Sequence, residues 1–224
     1  MLEWLTGRRN ERAPVLRNFN STPPPAGRLA IAECPLLVLD IETTGLNPQR
    51  DHIVSIGWLP VKARRILIGE ARHCLIRSPV SVGQSATVHG LLDRDLRGAK
   101  DIENVLEELL DRYAGYVFVA HHAHMEKAFL QPAIRQCFGG RANLTFIDTL
   151  AIERHQLQKQ GLQNTQELLR LDSCLQRYGL QNTAANAHDA MDDAYSCALL
   201  LLAQTSRSKF TLADLLRHLK RVTL

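Results

Sequence analysis

The sequence of 224 residues is poor in most features that would name a class at once. Its longest apolar run, near Leu199–Ala203, falls far short of the roughly 18 residues a membrane span needs. Residues 1–30 hold five Arg but no continuous apolar stretch, which excludes a signal peptide. Cysteine is sparse and scattered: Cys34, Cys74, Cys137, Cys174 and Cys197 stand at least 23 residues apart, with no CxxC pair. A zinc ribbon or redox motif therefore has no support, and reduced thiols in a cytoplasm are expected. Aromatic residues make up only 5%, which argues against extended base-stacking platforms. Charge of one sign is lacking too: 27 Lys and Arg against 23 Asp and Glu leave +4, which allows an anionic partner without demanding one. What is there is ordinary globular composition, 45% apolar and 22% charged, and a length that suits one domain better than two.

Residues 1–34 read as an N-terminal arm or extension, with a short helix at Leu2–Leu5 and an extended path through Pro23-Pro24-Pro25. The organised part starts at Pro35. Leu36-Leu37-Val38-Leu39 reads as a buried strand, and Ile53–Val61, Arg65–Glu70 and Arg72–Ile76 as further strands of an antiparallel meander. Ile102, Val105, Leu106, Leu109, Leu110 and Tyr113 share one helical face, with Asp101 placed to cap it. Tyr116–Ala120 and Leu144–Asp148 are two more buried strands, separated by a helix through Phe129 and Ile134. Helices are expected at about Thr165–Tyr178 and Asp189–Ala203. Thr211 with Asp214 resembles a capping box opening a last helix within 206–224. The pattern predicts a layered α/β domain with a mixed sheet.

Three clusters could carry chemistry. Asp40 and Glu42 leave the first buried strand on one face, roughly 6–7 Å apart along it, where their repulsion invites a divalent cation. All-oxygen ligands suit Mg²⁺ or Mn²⁺. Alone, this pair reads sooner as a solvated strand end. Ala120–Leu130 ends another strand and places Glu126 in the first turn of a helix, where an acid is favoured electrostatically anyway. His121, His122 and His124 cluster there but lack HExxH spacing. His188, Asp189, Asp192 and Asp193 open the last domain helix, and an imidazole there could serve as general base at neutral pH.

In order and context, these pieces resemble the DEDDh 3′–5′ exonucleases, the superfamily of the proofreading subunit of bacterial replicative polymerases. The likeness spans about residues 35–205. It rests on Val38–Leu46 with its DIETTGL core, Val88-His89-Gly90-Leu91, Phe146-Ile147-Asp148-Thr149 and the HxAxxD run from His188 to Asp193. It implies a ribonuclease-H-like fold: a mixed five-stranded sheet flanked by helices. It also implies hydrolysis of nucleic acid from a 3′ end to 5′-monophosphates, with two divalent cations held by Asp40, Glu42, Glu126 and Asp193. Asp40 would bridge the two, and His188 would take the proton from water. Thr43, Thr44, Gly45, Leu46, His89 and Gly90 would lie against the terminal nucleotide. The expected partners are a nucleic-acid 3′ end, DNA before RNA, and a DNA polymerase or repair factor, with no membrane.

The sequence departs from that family at one catalytic place: Glu126 stands where Asp is usual, and His122 where Asn is common. The longer side chain shifts a carboxylate by about 1.5 Å, which matters at a metal centre. Besides an active deoxyribonuclease, an exoribonuclease and a weakened or non-catalytic end-binding subunit stay open. Asp148 could support the site or merely cap the next segment.

Overall fold

Both faces of the central sheet are covered, which explains why the first strand opens on the wholly apolar, buried run Leu36-Leu37-Val38-Leu39. The structure, a computed structural model, describes residues 13–162, 165–181, 189–206 and 209–220. The expected helix at Leu2–Leu5 lies outside the described residues, and so does His188. The sheet is built from β1 (Leu36–Thr43), β2 (Ile53–Lys62), β3 (Arg65–Ile66), β4 (Arg72–Leu75), β5 (Val117–Ala120) and β6 (Phe146–Asp148). Its order is β3-β2-β1-β5-β6, with β4 also paired to β2. β1 runs antiparallel to β2 and parallel to β5, and β5 runs parallel to β6. The mixed, helix-flanked sheet is the expected one. It has six strands among the described residues rather than five, because a two-residue ladder at Arg65–Ile66 adds one. The longer strand expected at Arg65–Glu70 turns instead into a 3₁₀ turn at Ile68–Glu70.

Eight helices are described: α1 (Pro14–Ser21), α2 (Ala86–His89), α3 (Ile102–Arg112), α4 (Ala123–Phe138), α5 (Thr149–Lys159), α6 (Leu171–Arg177), α7 (Ala190–Gln204) and α8 (Leu212–Lys220). Side chains alternate along β1. Leu37 and Leu39 join Ile56, Trp58 and Phe118 in a cluster shared with α1, α3 and α4. Leu36 and Val38 join Leu59, Val61, Val119 and residues of α7 and α8 in a second cluster on the opposite face. By the period of two, Asp40 and Glu42 continue the α7 face.

The segment before Pro35 is built into the domain from residue 13 onward. Leu16 and Phe19 are buried, and Phe19 meets Phe118 edge to face at 6.1 Å. Asn20 binds the backbone at Arg141 and Asn143. Backbone bonds also join Leu29 and Ile31 to Leu212 and Phe210, tying this segment to the start of α8. The Thr211–Asp214 capping box forms reciprocally.

Two local expectations change, and one helix, α5, was not expected. Asp101 occupies the N-cap of α3 but makes no capping bond, since its carboxylate pairs with Arg77 at 3.1 Å. The helix expected over Thr165–Tyr178 is a 3₁₀ turn at Glu167–Leu169 followed by α6, because Arg170 between them is extended. Helix α5 carries no clear apolar stripe in the sequence. Its buried face includes Glu153, held by Arg177 at 2.8 Å and by Tyr178. The five cysteines are unpaired.

Candidate active site

Asp40 and Glu42 stand at the carboxyl end of β1, just before a register shift between Glu42 and Thr43 bends the strand. Helix α7 crosses this face directly. Gly57 of β2 pairs with Asp40, and a Cβ on Gly57 would collide with the backbone of Ala190 and Met191. The missing side chain lets the first turn of α7 rest on the sheet, and the buried small residues Ala190, Ala194 and Ala198 keep the approach close. Asp189 caps α7 by accepting from the Met191 and Asp192 N–H groups. Asp193 thus comes over β1, and oxygens of Asp40, Glu42 and Asp193 lie within 4.8 Å of one another.

Glu126, in the first turn of α4, stands near enough for its charge to raise Asp40, but it falls outside the group of three whose oxygens lie within 4.8 Å. The turn before it is unusual: His122 has φ 81°, a left-handed conformation that Asn and His tolerate better than most residues. Asp148 holds this turn by accepting from the His122 N–H at 3.0 Å, and the same oxygen caps α5 through Leu150 and Ala151. So Asp148 does both things left open by the sequence: it braces the site and it starts a helix. The Glu126 carboxylate is buried, and its Oε2 has no hydrogen-bond partner.

The electrostatics are strained throughout. Burial raises the Asp40 carboxyl well above the carboxylate range, with the charges of Glu126, Glu42, Asp193 and Asp189 adding to it. Burial, then Asp193 and Asp189, push Glu42 up to about 8. Burial and the charge of Asp148 raise Glu126. Oxygen donors crowded together, reluctant to ionise and in one case unpartnered, fit hard divalent cations. Among the described residues, Asp40, Glu42 and Asp193 are the group with the spacing to hold an ion. Of the clustered histidines, His121 is half-buried and bonded to Thr149 and the Leu169 carbonyl, while His122 and His124 are exposed.

The expected substrate residues divide. Thr43, Thr44 and Gly45 form a tight turn beside the acids: the Thr43 hydroxyl donates to the Gly45 carbonyl, and Thr44 bonds twice to His52. A Cβ on Gly45 would strike the Asp51 carboxylate. Leu46 is 81% exposed at the tip. His89 is instead buried, bonded to Ser85 and to the Leu91 N–H, and Gly90 ends α2 at φ 72°. These two residues shape their own turn. Gly57 and Asp189 escaped the sequence reading as site residues. An isolated glycine inside an apolar strand was the available signal for the first.

Residues 37–201 match the RNase_T exonuclease family model. The chain belongs to this exonuclease family. It is 30% identical over 190 residues to a PolC-type DNA polymerase III of Thermotoga maritima, covering 84% of this chain and 13% of that protein. It is 27% identical over 183 residues to the 3′–5′ exonuclease DinG of Staphylococcus aureus, covering 81% and 19%. The chain thus spans less than a fifth of the length of these relatives. Exonuclease I of E. coli in complex with a dA16 oligonucleotide shares the fold, with TM-score 0.67 and 14% identity over 83% of this chain and 43% of that one. Its zinc-bound complex with single-stranded DNA aligns at TM-score 0.66 and 15% identity, over 79% and 41%. Exonucleases are hydrolases of phosphodiester bonds, and the ribonuclease-H-like fold is that of these enzymes. No described helix is long and apolar enough to cross a membrane.

Proposed function

We propose that this chain is a divalent-cation-dependent 3′–5′ exonuclease that releases nucleoside 5′-monophosphates from the 3′ end of nucleic acid, single-stranded DNA before RNA. The carrying observation is the convergence of Asp40, Glu42 and Asp193 within 4.8 Å, with Asp40 and Glu42 raised by burial and mutual repulsion. Two cations, Mg²⁺ or Mn²⁺, would offset that repulsion and stabilise charge on the entering and departing oxygens of an in-line displacement. Asp40, Glu42 and Asp193 would hold one, and Asp40 with Glu126 the other. The orphaned Oε2 of Glu126 supports its share. His188 precedes the Asp189 cap in sequence and is assigned the proton of the attacking water. The Thr43–Leu46 turn would receive the terminal nucleotide, with exposed Leu46 against its base.

Single-stranded DNA is favoured because fold neighbours are described in complex with such strands. The polymerase relative supports a polymerase or repair partner, and the scattered unpaired cysteines support a cytoplasmic setting. Residues 35–205 would form the catalytic unit, extended by 1–34 and by the C-terminal helix in 206–224. The test is matched 3′-labelled DNA and RNA 12-mers with Mg²⁺ or Mn²⁺. Faster monophosphate release from DNA, lost in Asp40→Asn, is expected. No release from either strand in either metal would overturn the reading, and faster RNA cleavage would reassign the substrate.

A further inference from the structure

We propose that His73 is a positioning residue for this centre, pinning the start of α7 to the sheet and so fixing where Asp193 stands. The inference rests on the cation-dependent reading above. In register, Ser55 of β2 lies opposite Glu42, Gly57 opposite Asp40, and His73 of β4 opposite Gly57. All five therefore share the α7 face of the sheet. Gly57 supplies no side chain to grip the helix that rests on it. The next strand does: one His73 ring nitrogen, Nε2, lies 2.7 Å from the Ser55 hydroxyl, and the other, Nδ1, lies 3.8 Å from Oδ2 of Asp189.

The two oxygens of Asp189 divide their work. Oδ1 accepts from Met191 and Asp192 and caps the helix, while Oδ2 faces the imidazole. The Asp189 carbonyl takes the Asp193 N–H at 2.9 Å. A continuous path thus runs from Ser55 through His73 and Asp189 to the backbone of Asp193. Ser, His and Asp in a row suggest a nucleophilic triad, but Ser55 is fully buried and offers nothing to a substrate. Ser55 anchors the ring, and the ring anchors the cap. At 3.8 Å the outer approach is longer than a hydrogen bond, so the ring faces the Asp189 carboxylate while its firm anchor is Ser55.

Full-length wild type, His73→Phe, His73→Gln and Ser55→Ala test this by two readouts: Mn²⁺ binding followed by the electron paramagnetic resonance of free Mn²⁺, and kcat and KM on a single-stranded DNA 12-mer. His73→Phe keeps a ring but breaks both contacts; Mn²⁺ affinity and kcat should each fall roughly 10–100-fold, as outer-sphere losses do. KM for the strand should stay within about twofold, because the strand-binding turn is untouched. His73→Gln, whose amide can face both partners, should recover most of the loss. Ser55→Ala should produce a smaller fall of the same kind, and no further fall when added to His73→Phe. Wild-type Mn²⁺ affinity in His73→Phe, or equal losses in the Phe and Gln variants, would overturn the inference. If His73→Phe fails to fold, Ser55→Ala carries the decision, and unchanged Mn²⁺ binding there overturns it. A wild-type protein that neither binds Mn²⁺ nor cleaves DNA overturns the function reading first, and this inference with it.

Discussion

Removing divalent cations should make this protein less stable as pH rises, the reverse of the usual behaviour of proteins rich in ion-paired carboxylates. Glu42 sits at about 8 in the fold against an ordinary 4.5. A group whose pKa is raised on folding binds more protons folded than unfolded, so its contribution is full below the unfolded value and is lost as pH climbs through the folded one. Between about pH 5.5 and about pH 7.5 that loss is about 1.4 kcal/mol per pH unit, or about 3 kcal/mol from Glu42 alone. For a chain of this size, 3 kcal/mol is roughly 6–12 °C in Tm. Asp40 and Glu126 shift in the same direction and deepen the slope. His121 opposes it: burial lowers its pKa, so its stabilisation is lost as pH falls. The decisive quantity is therefore the difference between melting curves taken in EDTA and in saturating Mg²⁺, where His121 cancels. That difference should widen with pH across the window and shrink in Glu42→Gln. A constant difference, or melting temperatures that rise with pH in EDTA as steeply as in Mg²⁺, would refute the account of the acid cluster.

Four further outcomes are expected. Asp40→Asn should lower activity by at least about 10³-fold, judged against the several kcal/mol that charge stabilisation supplies, yet raise the EDTA melting temperature because one buried repulsive charge is gone. Gly57→Ala forces α7 off the sheet and should cost about 1–3 kcal/mol by denaturant melting, together with most of the Mg²⁺-induced stabilisation. Glu126→Asp should stay within about tenfold of wild type in single-turnover rate; a larger gain would mean the natural side chain damps the site. Leu16→Ala should cost about 2–5 kcal/mol, as for a core leucine, and a loss under about 1 kcal/mol would mean that α1 is only loosely attached.

The carboxylates were legible because strand alternation and helix starts are written in short windows of sequence. Asp40 and Glu42 needed only the period of two, and Glu126 and Asp193 only their places after a buried strand and a capping Asp. What bends the backbone around them was not legible. The left-handed turn at His122, the contact of Gly57 with α7 and the pairing of His73 with Ser55 each depend on a partner at least 18 residues away, and no local pattern encodes such a distance. Helix α5 was hidden for a different reason: a charged residue, Glu153, occupies its buried face, and Arg177, Tyr178 and Gln204 make that tolerable. The register of residues 1–34 was legible as proline-broken chain, but the burial of Leu16 and Phe19 was not, since two apolar side chains in a short helix make a weak periodic signal.

The way α1 closes the lower face of the sheet has a practical side for anyone trimming this chain to its family core. A fragment starting at residue 37 would lose the ring that stacks edge-on against Phe118 and the leucine beneath it, uncovering an oily floor next to α3 and α4. Such a fragment would keep every acid of the candidate site and still be prone to clump, so an insoluble or sluggish truncation would report on a missing lid and say nothing about the chemistry.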